Sequence, residues 1–259
     1  DLIDRGYLSN FRVFAPSHPD LSGVRTVADD YNQGDLSEAM GNSTLVADVV
    51  STWLKLGENR PTLCFAVDRA HAKKLAEQFE LSGVSVGYVD AYTKPDEREA
   101  IGRRLKEGRI QVVCNIGCLT TGVDWDVRCI ILARPTKSEM LYTQIIGRGL
   151  RTAAGKQDCL ILDHSDTTLR LGFVTDIHHT ELDDGKAKRS KASVKERAEP
   201  LPKECTACSY LKPAKVHKCP SCGFAPQRQP TIEVIEGELE QVKGKVKTQD
   251  KQQWYSMLL

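Results

Sequence analysis

The sequence has almost no net charge and no long apolar run. Its 36 Lys and Arg residues against 35 Asp and Glu give a net charge of +1. This balance argues against a uniformly basic protein, so a nucleic-acid surface would require local clustering of basic residues. No run approaches the roughly 20 apolar residues of a membrane span, and the N-terminal DLIDRGYLSN lacks the pattern of a signal peptide. These absences predict a cytoplasmic protein with no membrane partner.

The sequence also lacks an initiator Met, and its last residues, QQWYSMLL, resemble the start of an interrupted amphipathic helix. We therefore expect both ends to be fragment boundaries. Its 259 residues suit one large domain with a small one, or two modest domains.

Disulfide bonds are not expected, because the nine cysteines are odd in number and no export signal accompanies them. One group is scattered through apolar segments and is interpreted as buried, reduced thiols that pack like small hydrophobic residues. These are Cys64, Cys114, Cys118, Cys129 and Cys159.

The other four cysteines form two C-x-x-C pairs ten residues apart, in KECTACSYLKPAKVHKCPSCGF (203–224). This spacing predicts one closed, tetrahedral structural Zn²⁺ site. Ser209 and Gly223, which follow the pairs, suit tight turns, and His217 is expected to be a surface residue. The predicted metal ligands are Cys205, Cys208, Cys219 and Cys222.

The ribbon also carries basic residues at Lys212, Lys215 and Lys218, with Tyr210 nearby. These residues either contact a nucleic-acid backbone or are ordinary solvent-exposed charges on the surface of the ribbon. The stretch before the ribbon is basic, polar and nearly free of large apolar residues, which is typical of a flexible linker.

Apolar segments alternate with amphipathic ones between residues 61 and 164. Continuous apolar strands separated by such helices predict an α/β fold, with a parallel sheet covered on both faces. Ligands of such sheets bind beyond the carboxyl ends of the strands, here after Val67, Cys114, Ala133 and His164. Three helix starts are predicted, from Asp68 as an N-cap, from Pro95 in a first turn, and from a Thr136–Glu139 capping box. The predicted strands are 61–67, 84–89, 109–114, 127–133 and 157–164.

The segment QIIGRGLR (144–151) places two glycines where a helix continues, although each costs about 1 kcal/mol relative to Ala. Gly147 and Gly149 either allow a close approach or end the helix early. Gln144, Arg148 and Arg151 share one face at i, i+4 and i+7 if the helix persists. Two guanidinium groups on one face suit a phosphate group, whereas an isolated segment of this kind would be a solvated basic face.

The loop NIGCLTTGVD (115–124) follows a predicted strand and is rich in small and hydroxyl residues. Its backbone N–H groups and Thr hydroxyls suit phosphate oxygens, and Asp124 suits a sugar hydroxyl. Taken alone, the loop would be interpreted as a turn with an N-capping Asp.

In this order, TLCFAVDRAHAKKLAEQF, NIGCLTTGVD and QIIGRGLR resemble motifs IV, V and VI of superfamily 2 helicases and translocases. The resemblance covers roughly residues 45 to 175 and implies a RecA-like second lobe of a DEAD/DEAH-box type motor. LILDHSDTTLRLG (160–172) and LIDRGYLSNFRVFAP (2–16) look like flanking parts of phage and bacterial enzymes of this type.

The resemblance implies a role for each matching residue. Arg148 and Arg151 match the arginines that reach the γ-phosphate of ATP–Mg²⁺, with Arg151 expected as the arginine finger. The residues matching the nucleotide-binding positions are Gln144, Gly122 and Asp124. The residues matching nucleic-acid contacts are Asn115, Thr120 and Thr121.

A phosphate-binding loop and a metal-binding acidic pair are missing. GLRTAAGKQ (149–157) has its glycines six apart, carries Gln157 where Ser or Thr should bind magnesium, and follows a helix. DERE (96–99) opens a helix, and Asp163 has no acidic neighbour. We therefore expect an N-terminal RecA-like lobe, in cis or in trans, to complete the nucleotide site, and this chain alone to be inactive.

The expected organisation has five parts: a connecting segment at 1–44, the lobe at 45–180, a basic linker at 181–200, the zinc ribbon at 201–228 and a tail at 229–259. The expected partner is nucleic acid, with DNA favoured over RNA by the resemblance of the flanking blocks. Two rival hypotheses stay open. One is a non-catalytic nucleic-acid- or partner-binding protein that keeps the lobe as a scaffold, and the other is the motor of a restriction-type complex, although no PD…ExK pattern is present.

Overall fold

The computed structural model of the chain describes residues 2–120, 122–177 and 200–226. The predicted tail and all but the last residue of the predicted linker lie outside them. The strands are β1 (Asn10–Phe14), β2 (Thr26–Val27), β3 (Asp30–Tyr31), β4 (Thr62–Phe65), β5 (Val86–Val89), β6 (Val112–Asn115), β7 (Cys129–Leu132), β8 (Asp158–Asp163), β9 (Lys203–Glu204) and β10 (Leu211–Lys212). The helices are α1 (Gln33–Met40), α2 (Ser43–Leu56), α3 (Arg69–Leu81), α4 (Pro95–Lys106), α5 (Glu139–Leu150) and α6 (Thr167–Leu171).

Six strands form one parallel sheet in the order β1-β8-β7-β4-β6-β5. The five strands predicted from the sequence are all present, each shorter than its apolar segment. The sheet with its covering helices is the RecA-like α/β fold that the sequence predicts.

Helices cover both faces of the sheet, and the pleat of each strand divides its side chains between two apolar layers. Leu63 and Phe65 of β4 face the layer that contains α4 and α5, whereas Cys64 of the same strand faces α2 and α3. This alternation explains the unbroken apolar runs, because both faces of each strand are buried. Four of the five scattered cysteines are buried free thiols, as predicted, and Cys118 is half-buried.

Two of the three predicted helix starts are confirmed. The side chain of Asp68 accepts a hydrogen bond from the His71 amide and caps α3, and Pro95 opens α4. The third is wrong in detail, since Ser138 caps α5 by accepting from the Leu141 amide. The Thr136 hydroxyl accepts from the Ser138 amide and donates to Asp30 at 2.8 Å, so it fixes the preceding turn instead.

The segment expected to be only a connection contributes to the fold. Its strand β1 pairs along its whole length with β8, from Asn10 opposite Asp158 to Phe14 opposite Leu162. The predicted domain boundary at residue 45 therefore does not bound the sheet. The physical reason is that NFRVF adds a strand to the open edge of β8 and buries Val13 and Phe14.

The cysteine-rich module docks on the free edge of β1. The amide of Ala15 donates to the Ser209 carbonyl at 2.9 Å, and the rings of Phe14 and Tyr210 meet edge to face at 5.3 Å. His18 lies between Asp166 of the lobe, at 2.7 Å, and Glu204 of the module, at 2.9 Å. The module therefore contacts the sheet edge through backbone, aromatic and polar interactions together.

Within the described ranges, no helix is both long enough and apolar enough to cross a membrane.

Candidate functional site

The two arginines of QIIGRGLR lie near the amino ends of the strands. Helix α5 starts beyond the carboxyl end of β7 and returns to the amino end of β8, so its last turn carries Arg148 to that side, and Arg151 follows there as the extended C-cap residue. These two arginines therefore lie on the side of the sheet opposite the carboxyl edge where the sequence predicts ligands to bind. The loop that follows Asn115 crosses from the carboxyl end of β6 to the amino end of β7, and this crossing brings it to the arginines.

Arg148 and Arg151 converge on one backbone carbonyl of that loop. Their Nη1 atoms donate to the Val123 oxygen at 2.9 and 2.8 Å. Arg151 Nη1 also lies 2.5 Å from an Asp124 carboxylate oxygen. Burial, followed by the positive charge of Arg151, lowers the pKa of Arg148. The Nε of Arg148 is buried without a hydrogen-bond partner, so its guanidinium retains an unused donor.

A cavity of about 740 Å³ opens beside this pair and is lined by Arg151, Asp124 and Trp125. Its far wall is α4, which contributes Arg103 and Lys106. Three basic side chains (Arg103, Lys106 and Arg151) and three acidic ones (Glu99, Asp124 and Asp126) border this open volume, so its lining carries no net positive charge.

Trp125 rests directly on α4. A Cβ added to Gly102 would lie 2.4 Å from the indole ring, so only Gly allows this contact. The packing holds the loop against α4 and fixes one wall of the cavity. The sequence signal that could have predicted this contact is Gly102, a glycine in the middle of α4.

Lys156 fixes the C-terminal end of α5, the helix that carries Arg148. Its ammonium donates to the carbonyls of Gly149, Arg151 and Val127, at 2.5, 2.7 and 2.7 Å. Burial lowers the pKa of Lys156. The lysine of GLRTAAGKQ is thus occupied by backbone carbonyls, which agrees with the rejection of this segment as a phosphate loop. A cation at helix-terminal carbonyls also complements the helix dipole.

The two glycines of QIIGRGLR have different surroundings. Helix α5 continues through both, which rules out the early end and leaves the other alternative, a close approach. A Cβ on Gly149 would meet Cys159 Sγ at 2.4 Å and Ile130 Cγ1 at 2.8 Å, whereas one on Gly147 would meet nothing within 4 Å. Gly149 therefore allows close packing of the helix on the sheet, and Gly147 leaves open space beside the arginines.

The residues predicted to bind the nucleotide are only partly gathered at this cavity. Asp124 is highly exposed and lines it, and Gly122, at φ +74°, is exposed in the same loop. Gln144 is half-buried, nearly two helical turns before Arg151. Gly122 and Asp124 also line a second cavity of about 500 Å³ next to Arg98.

The two predicted nucleic-acid contacts that the structure describes, Asn115 and Thr120, are not on the surface. Asn115 is fully buried, and its side-chain amide donates to the Cys64 carbonyl at 3.0 Å. Thr120 is 8% exposed, and its hydroxyl donates to the Gly117 carbonyl at 2.7 Å. Both side chains stabilise the loop in this conformation. Thr121 lies outside the described residues.

The four cysteines of the ribbon meet around one point. All four sulfur atoms lie within 4.8 Å of one another, and two of the separations are 3.7 Å, Cys205 to Cys222 and Cys208 to Cys219. A tetrahedron with Zn–S bonds of about 2.3 Å has sulfur–sulfur edges of about 3.8 Å. The cluster is therefore compatible with zinc in both donor type and spacing.

The turns that carry the sulfurs repeat each other. Ser209, at φ +57°, donates its amide to the Cys205 carbonyl, and Gly223, at φ +76°, donates to the Cys219 carbonyl. The prediction of tight turns at these two residues is confirmed. His217 is exposed and lies outside the cluster, as expected.

Lys212 is not available to a nucleic-acid backbone. It is 7% exposed, and its ammonium donates to the His217 carbonyl at 2.6 Å. Lys215 and Lys218 are exposed.

Comparison with known proteins identifies the larger module. Residues 45–153 match the family described as the helicase conserved C-terminal domain. This match supports a resemblance of the region to the C-terminal lobe of superfamily 2 helicases. The chain is 38% identical over 148 residues, 56% of its length, to the Saccharomyces cerevisiae protein IRC3, which is named as a proposed ATP-dependent helicase. A 51.5 kDa protein of a Lactococcus phage is 29% identical over 253 residues, 95% of the chain.

The chain spans 22% of the length of the yeast relative and 54% of the phage protein. Among solved structures, it is similar to the ATP-dependent Type ISP restriction-modification enzyme LlaBIII bound to DNA, at 17% identity over 63% of this chain and 12% of that one, with a TM-score of 0.46. It is also similar to the DEAD-box protein SrmB of E. coli, at 24% identity over 50% of this chain and 76% of that one, with a TM-score of 0.43.

Proposed function

We propose that this chain is the C-terminal part of an ATP-dependent DNA helicase or translocase, and that Arg151 is its arginine finger. The observation that carries the proposal is the convergence of Arg148 and Arg151 on the Val123 carbonyl, at the border of an open cavity. The helicase lobe itself rests on the family match over residues 45–153.

Arg151 suits this role because its charge is held in place yet accessible. Lys156 fixes the backbone that carries Arg151, while the side chain remains 38% exposed at the cavity. An arginine held this way stabilises charge that develops on the transferred phosphoryl group without reorganising during the reaction. Arg148 provides the second cation, and Gln144 would orient the same site.

The rest of the nucleotide site would come from another lobe. In the proposal, that lobe brings the phosphate loop and the acidic pair that holds Mg²⁺, and ATP closes the cleft between the two lobes. Asp124 and Gly122 would lie next to the nucleotide sugar. The loop from Asn115 to Asp126 runs between the two sides of the sheet. Its movement would therefore link ATP hydrolysis to the contact with one strand of the nucleic acid.

The nucleic-acid contact in this proposal uses the same loop, with Thr120 and Thr121 next to the nucleic-acid strand once the loop moves, since Thr120 is 8% exposed in this conformation. The buried side chain of Asn115 would reach a strand only after the loop moves. DNA is preferred to RNA on the resemblance of the flanking blocks to phage and bacterial DNA motors, and binding of matched DNA and RNA oligonucleotides tests that preference.

We further propose that the four-cysteine cluster holds one structural Zn²⁺. Four thiolates complete a tetrahedral shell and leave no open position for catalysis, so the metal would act by folding a short segment. Elemental analysis should give one zinc per chain, and Cys219→Ser should lower this number and loosen the ribbon. Less than one zinc per chain, with four intact thiols, would remove the claim.

The experiment for the motor measures nucleic-acid-stimulated ATP hydrolysis by the protein expressed from its natural start codon. Arg151→Ala should abolish turnover, while the matched control Arg109→Ala should not, because Arg109 pairs locally with Glu107 and lies outside the cavity. No turnover even in the wild type would favour the rival hypothesis of a binding scaffold.

A further inference from the structure

Tyr92 is an exposed aromatic residue with one covered face. It follows the carboxyl end of β5 and is 77% exposed. The guanidinium carbon of Arg69 lies 4.9 Å from its ring centroid, and the Arg69 Nε lies 2.9 Å from an Asp90 oxygen. The ion pair holds the guanidinium over the ring, so the ring is oriented while much of it stays open to solvent.

A cavity of about 380 Å³ lies beside this ring. Ala70, Ala91 and Ile116 supply apolar wall, and Tyr92 supplies an aromatic one. A narrow volume with an aromatic wall suits a flat heterocycle, because stacking on an aromatic side chain is tolerant of which heterocycle is bound.

The polar groups at this cavity suit the edge of a base and not a phosphate. The exposed Gln33 amide uses one N–H for the Val67 carbonyl at 3.3 Å and keeps its oxygen and a second N–H available. Asp68 and Asp90 also line the cavity together with Arg69, which pairs with Asp90, so the lining has no net positive charge to attract a phosphate. Carboxylate and amide groups pair with the amino and ring-nitrogen groups of bases.

The position of the cavity fits a single strand of nucleic acid that runs across the edge of the sheet. Its lining comes from the carboxyl ends of β4, β5 and β6, away from the amino-end cavity of Arg151. Lys94, two residues beyond Tyr92, is exposed and would be available to a phosphate flanking the bound base.

We propose that Tyr92, backed by Arg69, stacks one unstacked base of a single-stranded nucleic acid in this cavity, with Gln33 at the base edge. The inference rests on the proposed function, because it names a contact between the lobe and its strand. It requires neither Arg148 nor Arg151, so it can be tested separately.

The test measures binding of fluorescein-labelled single-stranded DNA and RNA 12-mers to the full, zinc-loaded chain by anisotropy at low salt. Tyr92→Ala should weaken binding about five- to a hundred-fold, the effect of losing one base–aromatic stack. Tyr92→Phe should bind like the wild type because the ring remains. Tyr7→Ala is the matched control, since Tyr7 is 68% exposed but lines none of the three cavities.

An oligonucleotide of abasic sugars separates stacking from phosphate attraction. It should bind the wild type and Tyr92→Ala equally, whereas 2-aminopurine in the normal strand should be quenched by the wild type and not by Tyr92→Ala. Equal binding of normal strands by the wild type and Tyr92→Ala overturns this inference alone. No binding of any strand by the wild type overturns it together with the nucleic-acid part of the proposed function. Binding of free AMP that depends on Tyr92, with no effect on strands, would also contradict it.

Discussion

Arg151 and Asp124 form an exposed ion pair at the border of the larger cavity. Arg151 Nη1 lies 2.5 Å from Asp124 Oδ1, and the two side chains are 38% and 91% exposed. Exposed pairs of this kind contribute about 0 to 1 kcal/mol, since solvent screens the attraction. Turning the Arg151 guanidinium from Asp124 toward a stronger anion, such as a triphosphate, therefore costs little free energy.

Replacement of Asp124 by Asn should lower the free energy of unfolding by less than about 1 kcal/mol, because only this screened attraction is lost. Urea unfolding followed by circular dichroism measures the change. A loss above about 2 kcal/mol would show that the pair is a structural element, and Arg151 would then be less free to leave it.

The glycine pair gives a matched comparison of packing. Gly149→Ala should destabilise the chain by about 1–3 kcal/mol, since its Cβ would collide with Cys159 and Ile130 in a packed layer. Gly147→Ala should be neutral or stabilising by up to about 1 kcal/mol, because the site is open and Ala favours the helix. Thermal unfolding of the two variants side by side measures this difference, and the opposite ranking would refute the packing argument.

Lys156→Met should destabilise the chain by about 2 kcal/mol or more, because three backbone carbonyls lose a charged donor and part of the site is buried. The same substitution at the exposed Lys73 of α3 should change stability by less than about 0.5 kcal/mol. Chemical denaturation of both variants makes the comparison. Equal, small changes in the free energy of unfolding would mean that Lys156 does not stabilise the C-terminal end of α5.

Stability should fall as the pH is lowered from about 6.5 to about 4. Burial lowers the pKa of both His71 and His164 to about 4, so the folded state keeps them neutral. Their contribution is fully present above the ordinary pKa of about 6.5 and is lost as protons bind the unfolded chain, with a slope of up to about 1.4 kcal/mol per pH unit for each histidine.

The check is the free energy of unfolding at pH 7 and pH 5 for the wild type, His71→Gln and His164→Gln. Each variant should show a shallower fall than the wild type, even if it is less stable at pH 7. An unchanged slope in both variants would assign the acid sensitivity to other groups.

The sheet was predictable because its strands are buried on both faces and read as unbroken apolar runs. The first strand was missed because NFRVF is short and joins the sheet beside a strand almost 150 residues away. The caps at Asp68 and Pro95 are local and were predicted, whereas Thr136 and Ser138 are equally good local caps and only the fold decides between them.

The site was partly predictable for a similar reason. The motifs predicted Arg151 and Asp124 as site residues, and both line one cavity, but no periodicity shows that Lys156 folds back onto the carbonyls of Gly149 and Arg151. The burial of Asn115 was not predictable either, because a polar residue after a strand is usually expected at the surface. These contacts depend on how the loop crosses the sheet, which is a property of the tertiary fold.

The most direct test of the central claim compares the affinity for ADP–aluminium fluoride, which mimics the transferring phosphoryl group, with the affinity for a non-hydrolysable ATP analogue. The measurement is made with the proposed first lobe present, in cis or in trans, and with saturating nucleic acid. Arg151→Ala should weaken the transition-state mimic at least about a hundred-fold and the ATP analogue less than about ten-fold, because an arginine finger acts mainly on the transition state. Equal weakening of both ligands, or no change in either, would contradict the account.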